Sequence, residues 1–375
     1  MDFQALIDRI GEDWTLALVG AVVGLAFGFL AQRSRFCLRS AVIEFSRNLT
    51  GGKLTVWLFA FASAVAGTQL LALLGAFDAS QARQIATRGS LSGAAIGGAL
   101  FGMGMILARG CSSRLLVLAA QGNLRALLSG LVFAVTAQSA LSGLLSPVRT
   151  TIAGWWTVEG GASRDLLALT GIGHGGALLF GAVWLVAALV WARRQRVRFW
   201  GWFGAIGVGV MVASAWLLTW RIASQAFDLV VPVQSLSFTG PAADVLMLVL
   251  SPPGQPLKFD LGLVPGVATG AFLSALLWRE LKLEGFQGGQ AMRRYIVGAI
   301  LMGFGGMLAG GCAVGAGVSG AAVFTLTSWV TLSAIWGAAM LTDRLVDQPK
   351  EAAQQPAAPM SPHADPEMSA SYARP

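Results

Sequence analysis

Apolar stretches close to twenty residues long recur along this chain, and each must be shielded from water or placed in lipid. A hydrocarbon core of about 30 Å is crossed by roughly 20 apolar residues in helix. Helices satisfy their own backbone hydrogen bonds, so they are the natural way to cross it. Nine such runs are read: Trp14 to Leu30, Leu54 to Phe77, Leu91 to Ala108, Ala126 to Leu145, Gly175 to Ala192, Gly201 to Trp220, Leu261 to Trp278, Tyr295 to Ala309 and Ala321 to Leu341. Of 375 residues, 55% are hydrophobic and 12% charged, a balance no soluble domain of this size needs.

The net charge of +8 does not mark a nucleic-acid-binding surface, because the basic residues lie in short loops between the runs. Lys and Arg gather on the cytoplasmic side of such loops. An acidic N-terminus (Asp2, Asp8, Glu12, Asp13) placed outside puts the basic segments Arg33 to Lys53, Arg109 to Arg125, Arg193 to Arg198 and Arg279 to Arg294 inside. The expectation is a multi-pass inner-membrane protein with a periplasmic N-terminus and a cytoplasmic C-terminus. The N-terminus lacks the basic region of a cleavable signal, so the first run is expected to stay. Residues 348–375 are rich in Pro, Ala, Ser and Gln, and 344–375 are expected to form a disordered cytoplasmic tail.

An internal duplication sets the architecture. Phe101-Gly-Met-Gly-Met-Ile-Leu-Ala-Arg-Gly-Cys111 aligns without a gap on Met302-Gly-Phe-Gly-Gly-Met-Leu-Ala-Gly-Gly-Cys312. More weakly, Arg35-Phe-Cys37 aligns on Ser237-Phe-Thr239. The first run then matches the sixth, and this odd offset inverts the second half. The expected fold is all-α: about nine transmembrane helices plus four re-entrant half-helices in two inverted repeats. Residues 1–172 form the first repeat, 173–200 a linking span and 201–343 the second repeat.

Each break, with a short helix such as Ser112 to Ala120 or Val314 to Val323 beyond it, points to a transport site. Irregular backbone at membrane depth survives only inside protein or along a cavity, and half-helix N-termini offer N–H groups to anions. Many glycines need no such role and simply let helices approach. The three cysteines, Cys37, Cys111 and Cys312, all fall at breaks, with Gly110, Gly311, Thr239 and Gly240 beside them or at the matching position. A buried cysteine is often just a small hydrophobe. An odd count argues against a disulfide framework, and two histidines outside the breaks give no zinc site, so no metal or cofactor is expected.

Protonated thiols are weak donors suited to a large soft acceptor. Thiolates would repel an anion, and nearby arginines and helix N-termini favour the thiolate. Arg35, Arg39, Arg109 and Arg114 flank the first two cysteines and would draw an anion in, or act as inside anchors.

The motifs Gln32-Arg-Ser-Arg-Phe-Cys37, Ala108-Arg-Gly-Cys-Ser-Ser-Arg114, Phe238-Thr-Gly-Pro241 and Gly310-Gly-Cys-Ala-Val-Gly315 resemble those of the YeeE/YedE family of bacterial sulfur transporters. That resemblance implies thiosulfate uptake, the ion being passed along by S–H hydrogen bonds from Cys37, Cys111 and Cys312. It also suggests a separate TusA-like sulfur carrier at the cytoplasmic face. In the middle motif an arginine stands where many relatives have a second glycine, and some family members are tied to selenium compounds instead. A membrane thiol oxidoreductase or sulfurtransferase working through a cysteine persulfide is the enzymatic rival. A membrane scaffold protein is the third reading.

Overall fold

The structure, a computed structural model, describes residues 3–47, 51–226, 231–286 and 288–347. The chain is an all-α polytopic membrane protein. Its helices are α1 (Glu12–Ser34), α2 (Leu38–Ser46), α3 (Lys53–Leu73), α4 (Leu91–Leu107), α5 (Ser112–Ala120), α6 (Leu124–Ser142), α7 (His174–Arg194), α8 (Phe199–Ala223), α9 (Thr239–Leu250), α10 (Phe259–Leu277), α11 (Gly289–Leu308) and α12 (Leu326–Thr342). A π-helical turn, Gly315–Gly320, precedes α12, and a two-residue ribbon pairs β1 (Gly89–Ser90) with β2 (Thr157–Val158). Seven described segments are long and apolar enough to cross a bilayer. Helices α11 and α12 fall on the other two apolar runs, α11 carrying Arg293 and Arg294 in its first turns and α12 being only 17 residues long.

The ninth run was expected to begin at Ala321, but α12 starts at Leu326. Residues up to Val323 continue the preceding turn, and Phe324, with φ of 55°, separates it from α12. Residues 344–347, expected in the tail, are folded. They extend α12 as a turn whose Asp343 and Asp347 are buried against arginines. The rest of the expected tail, 348–375, lies outside the described residues.

Two helix pairs form the centre, and both are built on glycine. Along α1, Gly20, Gly24 and Gly28 meet backbone of Phe259, Leu263 and Val267 in α10; along α10, Gly262, Gly266 and Gly270 meet Ala17, Ala21 and Leu25 in α1. Lipid tails leave little hydrophobic drive between helices, so close backbone contact and dispersion must hold such pairs together. Helices α4 and α11 interlock likewise, Gly97 against Gly305 and Gly104 against Gly298.

The packing partners repeat between the halves. Helix α1 lies on α10 as α8 lies on α3; α4 lies on α12 as α11 lies on α6; and α2 lies on α3 as α9 lies on α10. Exchanging the two halves leaves the α4–α11 and α1–α8 contacts unchanged. Helix α7 has no counterpart in this scheme and packs on α3.

Candidate functional site

Each cysteine stands at the same kind of backbone break. Arg35, Arg109 and Gly310 adopt left-handed φ values of 53°, 55° and 76°, and each is followed two residues later by Cys37, Cys111 or Cys312. That reversal ends α1, α4 and α11 and turns the chain back into α2, α5 and the π-helical turn. For arginine the left-handed region costs of order 1 kcal/mol that glycine avoids, so Arg35 and Arg109 are held there by the surrounding packing. The expected fourth break differs: α8 ends at Ala223, and an irregular lead of more than ten residues separates it from α9 at Thr239.

Cys37 and Cys111 are the N-cap residues of α2 and α5. At Cys312 the amide of residue i+3, Gly315, donates to the sulfur with N···Sγ of 3.3 Å, whereas the sulfurs of Cys37 and Cys111 make no such capping bond. The Cys312 sulfur thus does what a side-chain oxygen normally does at a helix start, accepting an orphan N–H. A protonated thiol so placed keeps its S–H free to donate elsewhere.

The Cys37 and Cys111 side chains are close neighbours of one another. Cys111 Sγ also lies 3.4 Å from Ser113 Oγ. All three cysteines are free and buried, Cys111 and Cys312 almost completely. Cys312 does not join the other two. Helices α4 and α11 run antiparallel through their glycine contacts, so Cys111 lies beyond one end of that crossing and Cys312 beyond the other. Between these levels sits Thr239, its side chain over Gly306 beside Phe101, with a buried hydroxyl that has no partner among the described residues. Gly240 faces open space, so a side chain there would meet nothing within 4 Å. Gly110 and Gly311 instead pack tightly, an added Cβ lying 3.3 Å from Leu115 and 2.9 Å from the Ala316 amide.

The arginines around the Cys37–Cys111 pair divide into two sets. Arg35 and Arg109, at the left-handed positions, are exposed. Arg39 is partly buried, with Cys37 and Arg109 among its electrostatic neighbours, and pairs with Asp347 at 3.5 Å. Asp347 also holds Arg294 at 2.7 Å, while Arg47 grips Asp343 through two 2.9 Å bonds. Arg114 donates to Gln32, which itself donates to Glu280, the partner of Arg33. These counterions escaped the sequence reading, since Arg47 and Asp343 are 296 residues apart. Among the described residues no group of three or more His, Cys, Asp or Glu side chains is placed to hold a metal.

Comparison with known proteins covers nearly the whole chain. A family profile described as sulphur transport matches residues 33–341. A protein named thiosulfate transporter TsuA, from Escherichia coli strain K12, is 25% identical over 336 residues, 85% of this chain and 91% of that protein. A second protein of that name, from Spirochaeta thermophila, is 25% identical over 338 residues, 84% of this chain and 94% of its own length. The matched region spans every break and the glycine-packed α4–α11 pair, so this chain belongs to the sulphur transport family.

Proposed function

We propose that the protein carries thiosulfate across the bacterial inner membrane, N-terminus outside, along a path from Cys312 past Thr239 to the Cys37–Cys111 pair. The observation that carries this reading is the shared device at the three cysteines: a left-handed residue, then a buried free thiol, then the start of a short helical segment. A soft, weakly hydrated terminal sulfur exchanges water for S–H donors at lower cost than an oxygen anion does. Two inverted repeats, 1–172 and 201–343 with a linking span between them, are part of the proposal. The exchange of packing partners between the halves supports it, as does the Gly-Cys duplication. Passage needs no catalytic step, and handover to a TusA-like carrier inside rests on the family resemblance alone.

Uptake of radiolabelled thiosulfate into vesicles holding the purified protein tests the path. Cys37→Ala, Cys111→Ala and Cys312→Ala are each expected to cut the initial rate at least tenfold while yield and melting stay near wild type; tenfold corresponds to about 1.4 kcal/mol of barrier. Retained uptake in all three would remove the proposed path. Selenite and sulfate as competitors identify the anion class. The juxtaposed Cys37 and Cys111 give the thiol-enzyme alternative its support. A persulfide trapped on either thiol with no net uptake would favour that alternative.

Arg109→Gly separates charge from fold. Glycine relieves the left-handed strain, so the thermal midpoint should hold or rise, by up to about 1 kcal/mol in stability. The lost charge at the mouth is expected to raise the apparent KM for thiosulfate several-fold, an effect that fades as salt is added. An unchanged KM at low salt would show that Arg109 only anchors the loop.

A further inference from the structure

A second cationic site lies at the far end of the α4–α11 crossing, away from the arginines singled out in the sequence. A pocket of about 480 Å³ opens there, with Arg83, Arg88, Arg149 and Arg164 in its wall and no carboxylate among its lining residues. Gly310, two residues before Cys312, also lines it, so this pocket borders the third thiol's break. The β1–β2 ribbon contributes Gly89, Ser90 and Thr157 to the wall.

Arg164 is the informative member. It is 6% exposed, and its guanidinium donates to the Thr87 carbonyl and, at 2.7 Å, to the Thr327 hydroxyl. Its Nε has no partner and, among the described residues, no ion pair reaches it. Burial pulls its pKa down to about 10, which still leaves a cation at neutral pH. A buried charge without a counterion is expensive, and an anion entering this pocket would offset that cost. The other three arginines are less enclosed. Arg88 pairs with Glu159 at 3.4 Å, both side chains being largely exposed, and Arg149 spends its Nε on the Ala140 carbonyl. Gly89 permits this arrangement: a Cβ there would fall 2.5 Å from the Arg164 guanidinium carbon.

We propose that this pocket is a loading site for a tetrahedral sulfur oxyanion, in which Arg164 supplies the fixed cation and Arg83, Arg88 and Arg149 gather the anion, next to Gly310 and ahead of Cys312. For its ligand the inference rests on the transport reading. Guanidinium groups suit such an ion because their planar N–H fork matches two oxygens at once. Oxygen recognition in the pocket and sulfur recognition at the thiols would then be separate steps. Sulfate is accepted at the first and refused at the second.

Equilibrium binding of radiolabelled thiosulfate to the full-length protein tests this, in nanodiscs made only of phosphatidylcholine so that no anionic headgroup competes. Uptake is measured in parallel. Arg164→Gln is expected to weaken binding at least tenfold, and Arg164→Lys less. The Arg83→Gln, Arg88→Gln double variant is expected to weaken it several-fold and flatten its salt dependence. Sulfate should displace bound thiosulfate without being taken up, and Cys312→Ala should bind normally while losing uptake. Unchanged affinity in the double variant overturns the inference even if Arg164→Gln fails to fold, and so does loss of binding in Cys312→Ala. If the cysteine variants lose uptake while the arginine variants bind as wild type, the loading site falls and the transport reading stands. If wild type binds through the arginines but takes nothing up, the pocket stands and the transport reading falls.

Discussion

Gly262→Val is expected to eliminate folded protein from the membrane, the largest single-residue effect in the molecule. A Cβ at Gly262 would stand 1.8 Å from the Ala17 carbonyl oxygen, and that atom belongs to a helix backbone that cannot rotate aside. Relief requires α1 and α10 to separate along a shared face where six glycines, three from each helix, set the distance. Every atom pair at optimal separation gives only about 0.1–0.2 kcal/mol, but an interface of this length holds dozens. Opening it by an ångström or more therefore costs several kcal/mol, comparable with the whole stability of many domains. Gly130→Val and Gly337→Val are the controls, since an added Cβ at either meets nothing within 4 Å. Fluorescence-detected size exclusion of tagged protein measures the outcome. A monodisperse Gly262→Val peak at wild-type height would show that the α1–α10 contact does not carry the fold.

The same contact links a packing feature to the proposed transport path. Helix α1 leads through Arg35 and Phe36 to Cys37, and the position of Cys37 beside Cys111 depends on where α10 holds α1. Milder substitutions such as Gly266→Ala should thus disturb transport before they disturb expression. The added Cβ is 2.4 Å from the Ala21 carbonyl oxygen.

Hydropathy made the long helices legible in the sequence because lipid allows almost no alternative to helix for a twenty-residue apolar run. The breaks were legible for a related reason: Arg-Gly-Cys and Gly-Gly-Cys interrupt otherwise unbroken apolar sequence at matched spacing. Tertiary partners were not. Nothing near Arg39 or Arg47 in the chain announces Asp347 or Asp343, and residues 344–347 border a stretch whose composition suggests a tail. The π-helical turn Gly315–Gly320 gave no local signal either, since Gly, Ala, Val and Ser fit several backbone forms and only packing against Ser237 and α12 selects this one. Arg164 was overlooked because it sits in a polar loop, where arginine is ordinary. What sets it apart is burial, a property of the assembled fold. The mismatch at the fourth break has a physical origin too. Thr239 follows an irregular lead and not a helix end, so its likeness to Cys37 lies in what comes after it, a half-helix start, and not in what comes before.

Mild oxidation with copper phenanthroline is expected to join Cys37 to Cys111 and stop transport reversibly. The two thiols stand at the N-caps of different half-helices, form no disulfide, and are close neighbours in a buried setting. Forming the S–S bond removes one proton and one electron from each, the electrons passing through copper to oxygen. A disulfide needs its sulfurs about 2 Å apart, so the half-helix N-termini must draw together where the proposed path passes between them. The bond also removes both S–H donors there. Cys312, beyond the other end of the α4–α11 crossing, has no partner within reach and stays a thiol. Alkylation after denaturation should therefore count three thiols before oxidation and one after, uptake should fall below a tenth, and dithiothreitol should restore both. Cys312→Ala should oxidise as wild type does, whereas in Cys37→Ala the oxidant should leave both remaining thiols free. Three alkylatable thiols and undiminished uptake after oxidation would mean that the two sulfurs do not face each other across the path, and the conduit would have to run elsewhere.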